Sequence, residues 1–239
     1  MNFTVKLPDS LKSPELNEEF VEVQFEDGRA ENIFLHDYQR IYQIKNLFEE
    51  IFVNKLGSDS HNFVCRKLLS VMARRNLRPS ESRVLELGAG NGVTSQTFKD
   101  NGFKSIVAID VLPEAKEAAM RDRGATFEDY LVSDSSNLFP PDASALKNKF
   151  DVLLIVAAIG MGHVDSHSIK AGFNLLNDHG ILAFNIYSKL INQTPPTEFD
   201  EMLAQFTLYL DLLVREEYVH RKSVTGSDVK YTLFIFQKR

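Results

Sequence analysis

A strand-like apolar run followed by three glycines at alternate positions, residues 84–92 (VLELGAGNG), constrains the fold of this 239-residue chain more than any other feature. The glycines Gly88, Gly90 and Gly92 allow a backbone to turn sharply and to approach a ligand closely. A helix that begins after such a turn offers free N–H groups and a partial positive charge. The stretch therefore predicts a ligand site at the carboxyl end of a strand in an open α/β sheet.

The segments around this loop alternate between strand-like and helix-like patterns. Strands are predicted over residues 83–87, 105–110, 127–132, 150–158 and 181–187. Helices are predicted over residues 94–101, from Pro113 onward, and over residues 166–177 and 199–214. Residues 217–223 and 230–237 are strand-like with no helix between them, which indicates an antiparallel hairpin. The predicted fold class is α/β, with a doubly wound, seven-stranded, mostly parallel sheet and an antiparallel C-terminal hairpin strand.

Residues 1–79 have a different character and predict an N-terminal helical extension, which leaves residues 80–239 as the ligand-binding domain. Residues 16–25 alternate loosely and precede an Asp-Gly turn, so a short hairpin is expected there. Two helices are predicted from apolar residues at spacings of three and four, over residues 38–56 and 62–75.

Composition disfavours several classes of partner. The net charge of -6 would repel a phosphate backbone, so nucleic acid is not an expected partner. No apolar run approaches the ~20 residues of a membrane helix, and no secretory leader is expected from the N-terminal residues. The single cysteine, Cys65, fits the reducing cytoplasm and excludes both an internal disulfide and a cysteine-based metal site.

The spacing of the glycines distinguishes between three kinds of ligand. The NAD fingerprint G-x-G-x-x-G, counted from Gly88, requires a glycine at position 93, where the chain has Val93. A phosphate loop requires Gly-Lys-Ser/Thr, and none follows. What remains is Glu-x-Gly-x-Gly-x-Gly, from Glu86 to Gly92.

This pattern resembles motif I of the class I S-adenosylmethionine-dependent methyltransferases, and the similarity extends over about residues 83–239. The resemblance implies that Asp110 holds the ribose hydroxyls and that Asp134 faces the adenine amino group. Taken alone, Asp110 is also compatible with a helix cap and Asp134 with a turn. The implied ligands of the cofactor S-adenosyl-L-methionine are Glu86, Gly88, Ala89, Gly90, Gly92, Asp110, Val111, Leu112, Asp134, Ser135 and Ala157.

The N-terminal segment 36–52 (HDYQRIYQIKNLFEEIF) is similar to bacterial methyltransferase-domain proteins and distantly similar to the Williams–Beuren-region methyltransferase-like proteins. In the family such a segment often covers the cofactor as a lid. The resemblance thus makes His36, Tyr38 and Tyr42 lid or substrate candidates, and packing within the helix face is the alternative for Tyr42.

Residues 157–167 (AAIGMGHVDSH) follow the fourth strand, where the family places residues that face the methyl acceptor. His163, after a turn formed by Gly160 and Gly162, is the candidate catalytic base or acceptor ligand. A helix-capping or solvent-facing histidine is the alternative. His167 would share a helix face with His163, a spacing that can bind a metal, but no third ligand is evident and no metal is predicted.

The acceptor is expected to be a small molecule. The Asn/Asp-Pro-Pro-Tyr motif of methyltransferases that act on nucleic acids and on amide nitrogens is absent, and AAIGMG stands in its place. Tyr187 at the end of the fifth strand is a further acceptor candidate or a structural residue, and His220 is expected to be a surface or sheet residue. A regulatory module that binds the cofactor or its product without transfer stays open as an alternative. The oligomeric state stays open as well.

Overall fold

The computed structural model describes residues 2–8, 15–134, 149–160 and 163–239, which form two compact units. Unit 1 comprises Met1–Asp59 and Val219–Lys230, and unit 2 comprises Ser60–Tyr218 and Tyr231–Arg239. Along the sequence, the first segment of unit 1 ends at Asp59 and unit 2 begins at Ser60. A domain boundary after residue 79 stays a prediction.

Unit 1 contains a three-stranded antiparallel sheet in the order β1-β2-β3. Its strands are β1 Phe3–Lys6, β2 Phe20–Phe25 and β3 Ala30–Phe34. The predicted hairpin is formed by β2 and β3, and Gly28 takes a φ of 87° in the turn between them. Strand β1 was not predicted from the sequence, because four residues are too few for alternation to stand out.

The helix predicted over residues 38–56 is interrupted. Helix α1 spans Tyr38–Gln43, and a separate π-helical segment spans Glu49–Lys55. The Asp37 side chain caps α1 by accepting the Arg40 N–H at 3.1 Å. Asn46 takes a φ of 65°, which a right-handed helix does not accommodate, so the two segments are distinct even though their apolar residues keep a helical spacing.

The larger sheet and its helices follow along the chain. Its strands are β4 Arg83–Leu87, β5 Ser105–Asp110, β6 Asp129–Val132, β7 Phe150–Ile155, β8 Leu176–Tyr187, β9 Leu210–Lys222 and β10 Asp228–Lys238. The helices are α2 Ser60–Arg74, α3 Val93–Asp100, α4 Pro113–Arg123, α5 Ser166–Phe173 and α6 Glu198–Tyr209. None of the described helices has the length and apolar character needed to cross a bilayer.

The strand order β6-β5-β4-β7-β8-β10-β9 confirms the predicted fold class. Strands β6, β5, β4, β7 and β8 are parallel, and β10 runs antiparallel to β8. Both faces of this doubly wound, seven-stranded sheet are covered by apolar clusters. Strand β4 lies between β5 and β7, so the order reverses there and the carboxyl ends of these three strands form the crevice in which ligands of such sheets bind.

Two predicted helix ends are wrong. The helix predicted to run to residue 214 ends at Tyr209, and residues 210–214 belong to β9. Their apolar spacing fits a helix, but pairing with the long neighbouring strand β10 outweighs that local preference. The helix predicted to run to residue 177 ends at Phe173, because β8 already begins at Leu176 to pair with Phe150 of β7.

Candidate cofactor site

The glycine-rich loop after β4 has the backbone conformation that its composition predicts. Gly88, Gly90 and Gly92 take φ values of 67°, 56° and 82°, which favour glycine strongly over other residues. The N–H groups of Gly88 and Ala89 donate to the Ile109 carbonyl of β5 at 2.8 and 3.1 Å. These bonds anchor the loop beside Asp110, the last residue of β5.

Space as well as conformation requires two of these glycines. A Cβ on Gly88 would lie 2.5 Å from the Cβ of Ala158, and a Cβ on Gly92 would lie 2.5 Å from the Cζ of Phe127. The loop is therefore in close contact with the residues that follow β7 on one side and with those that precede β6 on the other.

We expect Gly88→Ala to lower the free energy of unfolding by about 2–3 kcal/mol, because it adds a steric overlap to a left-handed backbone. Gly28→Ala is the matched control, since Gly28 also has a positive φ but no atom lies within 4 Å of the point that its Cβ would occupy. The control should lose only about 1 kcal/mol in urea unfolding. Equal losses for both variants would contradict the close contact between Gly88 and Ala158.

The Asp110 carboxylate organises the loop and keeps capacity for a ligand. Its Oδ2 accepts the Gly90 N–H at 2.8 Å, and its Oδ1 accepts the Leu112 N–H at 3.0 Å. A carboxylate offers about four acceptor positions, and the Val111 N–H is a third backbone donor beside it, so capacity for a ligand hydroxyl remains. Burial raises the pKa of Asp110, and the N–H groups of Leu112 and Gly90 oppose that rise.

Glu86 is the penultimate residue of β4 and is 1% exposed. Burial raises the pKa of Glu86 to about 8, the hydrogen bond from the Ser95 hydroxyl opposes this, and the negative charge of Asp110 adds to it. Ser95, in the first turn of α3, donates to Glu86 Oε2. In the absence of a cation, Glu86 is therefore mostly protonated at neutral pH.

Tyr130 of β6 is a site residue that sequence reasoning did not identify. Its hydroxyl donates to the Gly90 carbonyl at 2.6 Å, and burial raises the pKa of the phenol so that it stays a donor. An aromatic residue in a strand is ordinarily a core residue. Tyr130 is buried in the core and also holds the glycine loop through its hydroxyl. Ser95 was missed as well, although a serine three residues after a glycine-rich loop is a signal that the sequence contains.

The carboxyl end of β6 lies beside Asp110. The Ser133 N–H donates to the Asp110 carbonyl at 2.9 Å, and Asp134 is the next residue and is exposed. On the other side of Asp110, Val111 is 60% exposed and offers an apolar surface to solvent. Asp110 and Val111 thus lie at the carboxyl end of β5 and Asp134 lies just beyond that of the neighbouring β6; their roles as cofactor ligands stay predictions, and Ser135 lies outside the described residues.

The segment after β7 forms a small closed loop. The Val164 N–H donates to the Ala158 carbonyl at 2.9 Å, and the His163 N–H donates to the Gly160 carbonyl at 3.0 Å. His163 is exposed as a residue, yet partial burial of its ring lowers the pKa of the imidazole, and the Asp110 carboxylate opposes this. His163 follows β7 and Asp110 ends β5, the two strands that flank β4, so both residues lie at the same edge of the sheet.

The other predicted residues of unit 2 have different surroundings. His167 is exposed on α5 beside the helix cap Asp165, and Tyr187 packs against Tyr231 with ring centroids 5.9 Å apart. Gly162, expected in the turn before His163, lies outside the described residues. In the described part of the chain, no three His, Cys, Asp or Glu side chains form a group that could hold a metal ion.

The lid candidates lie in unit 1 and form an aromatic cluster of their own. The Tyr38 ring stacks on Tyr42 at 5.8 Å and on Phe52 at 6.0 Å, and His36 packs edge-on against Tyr38. The role of these residues as a lid stays a prediction. His220 is buried in β9, which agrees with the sheet alternative of its expectation and not with the surface one.

Comparisons with known proteins agree with this architecture. A family model described as a methyltransferase domain matches residues 58–225. The N-methyltransferase NodS from Bradyrhizobium japonicum, solved with S-adenosyl-L-homocysteine, is 15% identical with a TM-score of 0.58, covering 84% of this chain and 96% of its own. No curated protein matches the sequence significantly.

Two further solved structures share the fold. Protein 1320 of Thermoplasma acidophilum is 16% identical with a TM-score of 0.52, covering 73% of this chain and 85% of its own. The cyclase SpnF is 17% identical with a TM-score of 0.53, covering 73% of this chain and 81% of its own. At these identities the similarity shows a common fold. The distant resemblance to the Williams–Beuren-region proteins has no support among these matches and stays a prediction.

Proposed function

The chain belongs to the methyltransferase-domain family, and we propose that it transfers the methyl group of S-adenosyl-L-methionine to a small-molecule acceptor. One observation carries most of the weight. Asp110, at the carboxyl end of β5, accepts N–H groups from both the glycine loop and Leu112 and keeps acceptor capacity for a ligand. That geometry suits a ligand with two adjacent hydroxyls, as on a ribose. The glycine loop and Asp110 would then bind the same ligand.

The remaining residues of the crevice suit the other parts of the cofactor. The exposed Val111 and the half-buried Leu112 offer an apolar surface to the adenine, and Asp134 offers an acceptor to its amino group. The positive charge of an ammonium group beside Glu86 would lower the pKa of its carboxyl, so that the proton is released to solvent and the carboxylate pairs with the cation. Ala157 is exposed at the carboxyl end of β7 and completes the proposed set.

When bound, S-adenosylmethionine supplies a methyl group on a positively charged sulfur, so that little further activation of the donor is needed. The protein must then hold the acceptor in line and exclude water, which makes orientation the main contribution of its side chains. A base is needed only for an acceptor that is still protonated at attack. His163, whose lowered pKa keeps the imidazole neutral at pH 7, is the residue proposed for that role.

His163→Gln is expected to lower the methyl-transfer rate about 100-fold, in the range typical of a lost general base, while S-adenosylhomocysteine affinity changes little. The rate of the wild-type protein should fall as the pH drops below the lowered pKa of His163, and the variant should lack this dependence. His167→Gln, on the exposed helix α5, is the matched control and should keep the wild-type rate. A variant with an unchanged rate and pH profile would exclude His163 as the base.

The same crevice allows a direct test of donor binding. Asp110→Ala should weaken S-adenosylhomocysteine binding about 100-fold, the loss expected for two hydrogen bonds to a charged group. Asp178→Ala removes an aspartate that is 83% exposed and should leave the dissociation constant unchanged. Equal affinities for the wild type and Asp110→Ala, measured by calorimetry, would mean that Asp110 does not hold the ribose.

The proposal of a small-molecule acceptor rests on the net charge of -6 and on the carboxyl groups of Asp110 and Asp134 at the carboxyl ends of β5 and β6. A cytoplasmic location is proposed from the buried single cysteine, Cys65, whose thiol pKa is raised to about 11 by burial. Both proposals fit a metabolic enzyme better than one that acts on a polyanion.

The acceptor class can be tested with methyl-tritiated S-adenosylmethionine and a fractionated cell extract. Label should appear in the small-molecule fraction, and the initial rate of labelling should be about 100-fold lower when His163→Gln replaces the wild type. Label in nuclease-sensitive or protease-sensitive material would contradict the proposed acceptor class. Binding of the cofactor with no label in any fraction would favour a regulatory module without transfer.

A further inference from the structure

The turn that follows β7 has a backbone conformation that needs support. Ala157 takes a φ of 55°, in the left-handed region that residues with a side chain rarely adopt. It lies two residues beyond the end of β7 and directly before the closed loop that carries His163. Such conformations persist where surrounding contacts hold them in place.

Asn185 of β8 supplies that support. Its Oδ1 accepts the Ala157 N–H at 2.6 Å, and its Nδ2 donates to the Tyr218 hydroxyl at 2.5 Å and to the Ser60 hydroxyl at 3.2 Å. Because a backbone N–H can only donate, the amide oxygen must face Ala157 and the amide nitrogen must face the two hydroxyls. Asn185 is fully buried, so both ends of its side chain are held by protein groups.

The groups that hold Asn185 are themselves fixed by packing. The Tyr218 ring stacks on Phe63 of α2 with centroids 3.9 Å apart, and its hydroxyl lies 2.6 Å from that of Ser60. The backbone of Asn185 pairs with Leu233 in the neighbouring strand β10. Through its hydrogen bonds, the Asn185 amide therefore connects the Ala157 turn to three elements, β8, β9 and α2.

The Ala157 turn also contacts the crevice. Ala158 lies so close to Gly88 that no Cβ fits between them, and Val164 packs against the same glycine. His163 belongs to the loop that the bonds between residues 158 and 164 close. A movement of the turn would therefore displace both the glycine loop and the proposed base.

We propose that Asn185 is a positioning residue, which holds the Ala157 turn so that the glycine loop and His163 are correctly placed for donor and acceptor. The effect of Asn185 on the placement of donor and acceptor rests on the proposed methyltransferase function. The claim that its amide fixes the Ala157 turn does not depend on that function.

Asn185→Leu keeps a side chain of similar size but leaves Ala157 without its acceptor. The turn should relax from its left-handed conformation, and the affinity for S-adenosylhomocysteine should fall about tenfold. Adding Ala157→Gly should recover at least about threefold of this loss, because glycine adopts a positive φ without the steric cost. If Asn185 served core packing alone, Ala157→Gly would not restore the affinity that Asn185→Leu loses.

The experiment compares the wild type, Asn185→Leu, the double variant with Ala157→Gly, and Leu68→Ala. Leu68 is fully buried in the apolar cluster on the same face of the sheet and makes no hydrogen bond to the turn, so its variant controls for lost stability. Calorimetry measures S-adenosylhomocysteine affinity, and NMR titration of the His163 ring measures its pKa. Asn185→Leu should bring that pKa towards the ordinary value of about 6.5, and Leu68→Ala should not.

Reduced affinity in Asn185→Leu, rescue by Ala157→Gly and a displaced His163 pKa are the expected results. The proposal is overturned if Asn185→Leu behaves like Leu68→Ala in both measurements, or if Ala157→Gly recovers nothing. If the wild-type protein itself does not bind S-adenosylhomocysteine, the proposed function fails. The His163 titration alone then decides whether Asn185 fixes the turn.

Discussion

Raising the pH from 5 to 8 is expected to destabilise the ligand-free protein, and Glu86→Gln is expected to remove about 4 kcal/mol of this dependence. Burial raises the pKa of Glu86 from 4.5 to about 8, so the folded protein keeps a proton that the unfolded chain releases above pH 4.5. Protonation at Glu86 therefore favours the folded state at low pH. This contribution is lost as the pH rises through the folded-state value.

Urea unfolding at several pH values measures this effect. Asp110, whose pKa is also raised, contributes in the same direction, and His163, whose pKa is lowered, contributes in the opposite one. The difference between the wild type and Glu86→Gln isolates Glu86, because glutamine keeps an acceptor for the Ser95 hydroxyl. Parallel pH profiles for the two proteins would show that Glu86 is ionised in the folded state.

Arg221→Met is expected to lower the stability of unit 1 by about 3–5 kcal/mol, because it leaves a buried carboxylate without its cation. Arg221 Nη2 lies 2.5 Å from Glu19 Oε2, and the two side chains are 6% and 0% exposed. Glu19 Oε1 also accepts the Val224 N–H at 2.8 Å. The pair joins the start of β2 to the β9–β10 turn within unit 1, across 202 residues of sequence.

The neighbouring residue provides the control. Lys222 forms an ion pair with Asp228 at the same distance of 2.5 Å, but these side chains are 55% and 43% exposed. Lys222→Met should therefore cost less than about 1 kcal/mol. The double variant Glu19→Leu with Arg221→Met should recover most of the loss, since no buried charge remains. Equal losses for Arg221→Met and Lys222→Met would contradict the burial of the Glu19–Arg221 pair.

The parts of the site that lie close in sequence were predictable from it. Gly88, Gly90 and Gly92 follow an apolar strand, and their positive φ values are what such a spacing requires. The position of Asp110 at the end of the next strand followed from the strand pattern, and its role came from the resemblance to the methyltransferase family. The placement of Val111 and Asp134 follows from the same strand pattern.

The supports of the site were not predictable, because they depend on contacts between distant segments. Tyr130 lies 40 residues from Gly90, and Asn185 lies 125 residues from Ser60. No spacing or composition rule marks a buried asparagine in a strand as the partner of a particular turn. The Glu19–Arg221 pair could not be predicted either, because its two residues are 202 positions apart in the sequence.

The wrong helix end near residue 214 has a related cause. Leu210, Leu213 and Val214 have a helical spacing, so local periodicity favours a helix. The hydrogen bonds of β10 need a partner strand, and satisfying them is worth more than the preference of five residues. In unit 1, Asn46 takes a left-handed conformation and interrupts a helical pattern. Asparagine tolerates this conformation but does not require it, so the interruption could not be predicted from the residue type.

The central claim is that the loop from Glu86 to Gly92 serves S-adenosylmethionine and no other nucleotide. Calorimetric titration of the wild-type protein with S-adenosylhomocysteine, NAD and ATP in parallel tests it most directly. S-adenosylhomocysteine should bind one to one with a dissociation constant well below ~1 mM, and NAD and ATP should give no heat of binding. No binding of S-adenosylhomocysteine at ~1 mM, or tighter binding of NAD or ATP, would contradict the account.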